Sequence, residues 1–229
     1  MSSEQIVLVI GASRGIGLAL VEELSARPNT QTIGTVRIPN AALDLPNVRF
    51  VTLDVTDEES VAKAASEIPE IDTLIINAGM GKRDPVLTTS TADLATYLDV
   101  NVLGPHRAIR AFLPALRARK TRRIIPISST SGSIGQQAMP GSGGLAGAYG
   151  VSKAALNMLA VQFHKELQKE GFTVVPVHPG WVATDMGNRH GTGGMPPATS
   201  AQAIAKLVDG LTAKESTTFY QWDGKVVAW

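Results

Sequence analysis

The sequence predicts an α/β chain built on a doubly wound parallel sheet with helices on both faces. Short apolar runs such as Ile6–Ile10 and, after Asp72 and Thr73, the end of Ile71–Ile76 are continuous rather than alternating, as strands buried on both faces are. Most such runs are followed by a stretch of helical spacing. This alternation continues along the chain without an internal repeat or a linker-like segment. One unit over residues 1–229, with about seven strands, is therefore expected.

Composition narrows the function classes. Apolar residues make up 44% and charged residues 18% of 229 residues, which is ordinary globular composition. A net charge of +1 offers no long-range attraction to nucleic acid or to an anionic membrane. The absence of cysteine excludes disulfides, thiolate metal sites and a thiol nucleophile, and fits a reducing compartment. The polar start Met1–Gln5 lacks the pattern of a signal peptide. The apolar runs are too short to span a bilayer, so a cytoplasmic location and no membrane partner are expected. His106, His164, His178 and His190 share no metal-like spacing, so no metal is expected.

The first strand, Ile6–Ile10, runs straight into Gly11-Ala12-Ser13-Arg14-Gly15-Ile16-Gly17 and a helix over Leu18–Ala26. Strand, glycine turn and helix are the setting in which a backbone cradles a pyrophosphate. Gly11 permits the tight turn, Gly15 lets the backbone approach phosphate oxygens, and Gly17 lets helix and strand pack closely. The helix start adds free N–H groups and a positive dipole. The spacing is Gly-x-x-x-Gly-x-Gly rather than the commoner Gly-x-Gly-x-x-Gly. A second strand, Gln31–Val36, ends at Arg37, which lies 20 residues after Gly17. An acid at this place would hold a ribose 2′-OH, whereas arginine accommodates a 2′-phosphate. With Arg14 in the turn, the pair forms a two-guanidinium clamp and predicts NADP(H) over NAD(H).

The third strand, Val48–Leu53, leads into Asp54-Val55-Thr56-Asp57. Asp54 has two readings, contact with an adenine amino group or capping of the turn. Thr56 or Asp57 caps the next helix, which runs through Glu67. The fourth strand, Ile71–Ile76, enters Asn77-Ala78-Gly79, whose small residues allow a cofactor against the backbone. Thr91–Leu116 is a long helical stretch in which Pro105 and Pro114 mark a kink or a change of helix. It carries Asn101, which serves either the function or core polar groups. Arg117, Arg119, Lys120, Arg122 and Arg123 are expected in a solvated turn, because the rest of the chain is charge-balanced.

The fifth strand, Arg123–Ile127, opens onto Ser128-Ser129-Thr130-Ser131, where hydroxyls meet ligands in open α/β sheets. Gln136–Gly147, with four glycines and Pro140, is expected as a loop. Tyr149–Lys169 is a helix, and Tyr149 and Lys153 share one of its faces. An ammonium one turn from a phenol favours the phenolate and lowers its pKa, which makes the pair a candidate proton donor or acceptor. The sixth strand, Phe172–Val177, leads to His178-Pro179-Gly180-Trp181-Val182-Ala183-Thr184-Asp185. Gly187–Pro197, with four glycines and two prolines, reads as a mobile lid. Ser200–Leu211 is a surface helix, Thr217–Tyr220 an edge strand, and the tail, with Trp222 and Trp229, docks onto the body.

These motifs, in this order, resemble the classical short-chain dehydrogenases/reductases from end to end. The residues that carry the likeness are Gly11–Gly17, Asn77-Ala78-Gly79, Asn101, Ser128-Ser129, Tyr149-x-x-x-Lys153 and Pro179-Gly180. His178–Val182, Thr184-Asp185-Met186 and Trp222-Asp223-Gly224 are similar to the C-factor and Sniffer-like carbonyl reductase branch, with a looser likeness to norsolorinic acid ketoreductases. The resemblance implies a Rossmann-like sheet and a catalytic tetrad of Asn101, Ser129, Tyr149 and Lys153. Ser129 would hold a carbonyl oxygen and Tyr149 would donate the proton. Lys153 would tune Tyr149 and bind ribose, and Asn101 would hold a water leading to solvent. Cofactor contacts are expected from Gly11, Ser13, Arg14, Gly15, Ile16 and Gly17; from Arg37, Asp54 and Val55; and from Asn77, Ala78 and Gly79. Tyr149, Lys153, Pro179, Gly180, Val182 and Thr184 complete them, with Thr184 and the Val182 backbone orienting a carboxamide. The implied activity is NADPH-dependent reduction of a small-molecule carbonyl substrate by a homo-oligomer, dimer or tetramer. The alternatives are alcohol oxidation in the cell and a non-catalytic NADP(H)-binding regulator on the same fold. The chain departs from the family in one spacing: Ser129 precedes Tyr149 by 20 residues, where about a dozen is usual. A loop insertion explains the excess at small entropic cost.

Overall fold

The structure, a computed structural model, describes residues 4–39, 43–82, 84–141 and 146–229. Strand β1 (Gln5–Ile10) is followed by α1 (Gly15–Ser25), β2 (Thr30–Val36), β3 (Val48–Thr52), α2 (Glu58–Ser66) and β4 (Thr73–Ile76). Then come α3 (Thr91–Leu98), α4 (Gly104–Arg117), β5 (Arg123–Pro126), the short α5 (Ile134–Gln137) and α6 (Gly147–Leu167). The chain finishes with β6 (Thr173–Val174), β7 (Val177–His178), α7 (Pro197–Gly210) and β8 (Tyr220–Gln221).

Six strands form one parallel sheet in the order β3-β2-β1-β4-β5-β6. This is the doubly wound order, whose direction reverses beside β1 and opens a crevice at the strand C-termini. Alternation along each strand divides the core. Leu8, Ile10, Leu74, Ile76 and Ile124 face Val61, Ile109, Phe112, Phe163 and Leu167 on α2, α4 and α6. Val7, Val9, Ile75 and Ile125 face Leu20, Leu24, Ile204 and Val208 on α1 and α7. The helix expected over Ser200–Leu211 is thus one wall of the core rather than a surface element.

The strand expected over Phe172–Val177 is divided. Thr173 and Val174 pair with β5, while Val177 and His178 pair with β8 in a separate two-stranded sheet. Pro176 stands between them, and with no N–H it cannot continue the ladder. The long helix of Thr91–Leu116 is also divided, by a π-helical turn over Asp99–Leu103. Pro105 lies in the first turn of α4, directly after that π turn, and so marks the change of helix, whereas Pro114 lies inside α4 without ending it. The basic cluster differs from the solvated turn expected. Arg117 makes two 2.8 Å bonds to Glu170, Arg119 pairs with Asp72 and Glu70, and Arg123 donates to the carbonyls of Leu211 and Asp209. These guanidiniums clasp the N-terminal edge of the sheet. In the tail, Trp229 stacks on Phe219 with centroids 5.7 Å apart. Ser133 and Gly135 donate to the carbonyls of Ala228 and Trp229.

Candidate active site

The glycine turn is built so tightly that side chains are excluded. At Gly17 a Cβ would stand 2.0 Å from the Gly11 carbonyl oxygen, and at Gly11, where φ is +86°, 2.7 Å from the Ala78 backbone. Asn77 Nδ2 donates to the Gly11 oxygen at 2.8 Å, and Thr35 Oγ1 accepts from Gly11 N at 3.1 Å. Helix α1 begins at Gly15 without a side-chain cap and without an acid in its first turn. Its free N–H groups and dipole therefore face the crevice unopposed, which suits a pyrophosphate. The residues present fit a dinucleotide on this ground.

Around the adenosine end, the expected contacts separate. Asp54 Oδ1 accepts from Thr56 N at 2.9 Å and from Thr56 Oγ1 at 2.7 Å. Those bonds, with Arg37 nearby, hold its carboxyl below the usual range. These bonds cap the turn through Oδ1 alone. Val55 is buried against Gly104, and its carbonyl accepts from Arg107 at 3.2 Å. Arg37 is exposed at the end of β2. Arg14 is also exposed, and its Nη1 lies 2.5 Å from Asp185 Oδ2.

The four tetrad positions come together at the C-terminal edge of β4 and β5. Ser129 leaves β5, its Oγ accepting from Ser131 N at 3.1 Å. The Ser129 hydroxyl is near enough to the Tyr149 phenol to pull its pKa down. Lys153 Nζ donates to the Ile127 carbonyl at 2.8 Å and lies 5.7 Å from the centre of the Tyr149 ring. A Cβ at Gly79 would be 3.6 Å from Lys153 Nζ and 3.2 Å from Asn101 Oδ1. Small residues let the catalytic helix press this close: at Gly132 a Cβ would come 2.5 Å from the Lys153 backbone, and at Gly150 2.7 Å from the Ser131 oxygen.

One expectation needs correction. Burial pushes the Tyr149 phenol up to about 12, against a smaller lowering by the Ser129 hydroxyl. Burial also brings Lys153 down to about 8. The ammonium is tied to the sheet, and desolvation of the phenolate outweighs its pull, so the lowered Tyr149 pKa is not found. The Asn101 side chain is bonded at both its oxygen and its nitrogen. Its Oδ1 accepts from Met80 N, and its Nδ2 donates to the Met80 carbonyl and to Ser152 Oγ, each at 2.9 Å. Asn101 therefore pins the loop after β4 to α6 from inside the π turn. Its own carbonyl lacks the α-helical donor four residues on, because that residue is Pro105.

Ser152 and Asn157 join this network and were not singled out in the sequence. Ser152 Oγ donates to the Tyr149 carbonyl at 2.7 Å, and Ser128 Oγ donates to Asn157 Oδ1 at 2.6 Å. The signal was present, since Tyr149, Ser152, Lys153 and Asn157 form a polar stripe at helical spacing. Met186, named from the sequence only for the family likeness, also belongs here: a Cβ at Gly81 would touch both its sulfur and the Tyr149 ring at 3.0–3.1 Å.

The segment after β7 faces the glycine turn. Ser200 Oγ donates to the Pro179 carbonyl at 2.7 Å, and Gly180, at φ +85°, lies under Met195 and Trp222. Thr184 Oγ1 accepts from Gly187 N at 3.1 Å, and a Cβ on Gly15 would be 3.2 Å from Thr184 Cγ2. The lid expected over Gly187–Pro197 has a closed base. Ala183 N donates to the Met195 carbonyl and Met195 N to the Trp181 carbonyl, both at 2.8 Å. Residues 142–145, within the loop expected over Gln136–Gly147, lie outside the described residues. The remainder includes α5, and Gly147 opens α6. Among the described residues, no helix is long and apolar enough to cross a membrane.

A doubly wound sheet with a glycine cradle and a Ser–Tyr–Lys cluster at its switch edge defines a class, and residues 5–193 match the family model of short chain dehydrogenases. The chain belongs to that family. It is 34% identical to an uncharacterised oxidoreductase of Schizosaccharomyces pombe, with 99% of this chain and 98% of the relative covered. It is 38% identical to the C-signal protein of Myxococcus xanthus, over 69% of this chain and 93% of that one. Among solved structures, an NADPH-bound carbonyl reductase from chicken fatty liver superposes with a TM-score of 0.90 at 33% identity, covering 99% of this chain and 95% of that one. The carbonyl reductase Sniffer of Drosophila melanogaster superposes at 0.88 with 27% identity, covering 99% and 100%.

Proposed function

We propose that this chain is an NADP(H)-dependent carbonyl reductase in which residues 4–229 form one binding and catalytic unit. The observation that carries the reading is the Ser129–Tyr149 hydroxyl pair beside the buried Lys153 ammonium. A buried lysine with a strongly shifted pKa in a cleft is the mark of a working site. The NADPH bound to the chicken carbonyl reductase and the NADP bound to a similar short chain dehydrogenase from Burkholderia cenocepacia support the same cofactor here.

When bound, NADPH supplies the hydride. The glycine turn and the α1 N-terminus would hold its pyrophosphate, Arg14 and Arg37 its 2′-phosphate, and Asn77–Gly79 and Thr184 would line the rest of the site. Ser129 Oγ, already an acceptor from Ser131 N, turns its proton outward to the substrate oxygen. Tyr149 gives its proton to that oxygen as negative charge develops there. Lys153, charged at neutral pH with a pKa of about 8, steadies the resulting phenolate. Asn101 and Ser152 hold the loop and helix that carry these groups. A phenol held near 12 keeps its proton at neutral pH, which favours the acid role and hence reduction. Following NADPH oxidation at 340 nm against a panel of ketones and quinones tests the reading; a panel without any turnover would contradict it.

A further inference from the structure

Arg14 is paired across the crevice, and that pairing has a consequence for nucleotide choice. The guanidinium belongs to the glycine turn; its partner Asp185 belongs to the segment after β7, 171 positions away in sequence. Both side chains are largely in water, at 73% and 69% exposure. The pair is an exposed bridge of the kind that exchanges partners at little cost. The segment it ties is otherwise held from one side. Its base is closed by the Ala183–Met195 and Met195–Trp181 backbone bonds, and within it Thr184 caps Gly187 and the Trp181 indole donates to the Gly187 carbonyl at 3.1 Å. Across the crevice, the described contacts of Thr184-Asp185-Met186 with the glycine turn are the Gly15–Thr184 approach and this one ion pair. Met186 in turn abuts Gly81 and Tyr149.

We infer that Asp185 competes with the 2′-phosphate of the nucleotide for Arg14, so that phosphate binding unties the Thr184–Met186 segment beside Tyr149. The inference rests on the NADP(H) reading above. Asp185 is then a specificity-setting residue: it weakens 2′-phosphorylated nucleotides selectively, because a guanidinium bridged to a carboxylate presents less charge and fewer free donors to a dianion. It leaves a nucleotide without that phosphate almost unaffected. It also links the adenosine end of the crevice to the substrate end by one exchangeable contact.

Calorimetric binding of adenosine 2′,5′-bisphosphate and of adenosine 5′-monophosphate tests this without turnover. Asp185→Asn is expected to tighten the bisphosphate about two- to fivefold, the scale of one exposed ion pair, and to change the monophosphate by less than about twofold. In an Arg14→Met background the same substitution is expected to change neither, which isolates the pairwise term. Amide exchange supplies the second readout. Residues 184–188 exchange faster in Asp185→Asn, and faster in the parent once the bisphosphate is bound, while the Ala183 and Met195 amides stay as they were. Equal tightening of both nucleotides, weakening of the bisphosphate, or an exchange pattern indifferent to Asp185 would each overturn the proposal. A parent that binds the two nucleotides alike would instead overturn the NADP(H) reading.

Discussion

Lys153 Nζ donates to the carbonyl oxygen of Ile127 at 2.8 Å. The ammonium is therefore fixed to the end of the central sheet rather than left to follow Tyr149. Because it is only 5% exposed, burial lowers its pKa from 10.5 to about 8. The folded pKa lies below the unfolded one, so between pH 8 and 10.5 the unfolded chain holds a proton that the folded chain has released. Stability of the parent then rises with pH across that window.

Replacing Lys153 with Met removes this burden together with the activity. At pH 7 the buried charge costs roughly 3 kcal/mol, and losing its hydrogen bond offsets about 1–2 kcal/mol of the relief. Lys153→Met is expected to be the more stable protein in urea at pH 7, by about 1–2 kcal/mol on the same principles. Its lead should shrink as pH rises from 8 to 10.5. A variant less stable than the parent at pH 7 would show that the ammonium is not desolvated as described.

The pH dependence of turnover should differ between directions. Tyr149, pushed up to about 12, bears its proton throughout the working range, so reduction should be flat below pH 8. It should fall above that as Lys153 loses its charge. Oxidation needs the phenolate, so its rate should climb with pH beyond 8. Initial rates from pH 6 to 10 in both directions check this; a limb near pH 6–7 moved by Tyr149 substitution would contradict it.

Asn101→Ala leaves the Met80 N–H, the Met80 carbonyl and Ser152 Oγ without their partner in a site where Asn101 is fully buried. Each buried polar group so stranded costs about 1–3 kcal/mol. A loss of at least about 2 kcal/mol in urea melts is expected on that scale, with turnover impaired more than nucleotide binding. Undiminished stability would mean that the π turn does not depend on this amide.

Two glycines offer an internal contrast. Gly17→Ala places a methyl 2.0 Å from the Gly11 oxygen and should unfold the turn or abolish nucleotide binding. Gly210→Ala, at the end of α7 with nothing within 4 Å of its new methyl, should raise stability by about 0.4–1 kcal/mol. Thermal melts of the two variants beside the parent decide it.

The strands of the sheet were legible because buried parallel strands are continuous apolar runs, and Gly11 and Gly17 were legible because backbone crowding admits nothing larger, as was Gly15 because its φ of +58° favours glycine. Tyr149 and Lys153 were legible from helical spacing. The π turn at Asp99–Leu103 was legible only as the kink or change of helix that Pro105 marks, since its residues have ordinary helical patterning. The direction of the Tyr149 shift was not legible, because spacing places an ammonium near a phenol without telling how much water surrounds either. The Arg14–Asp185 pair spans 171 positions, and no local pattern announces it.

The most direct measurement is Tyr149→Phe, which keeps the ring packed against Gly81 and Met186 and removes only the hydroxyl. NADPH binding by calorimetry should match the parent, while NADPH oxidation with a ketone turned over by the parent should fall by about 100-fold or more, the share of a general acid. A Tyr149→Phe protein that reduces that ketone at near parental rates would contradict the proton-donor assignment.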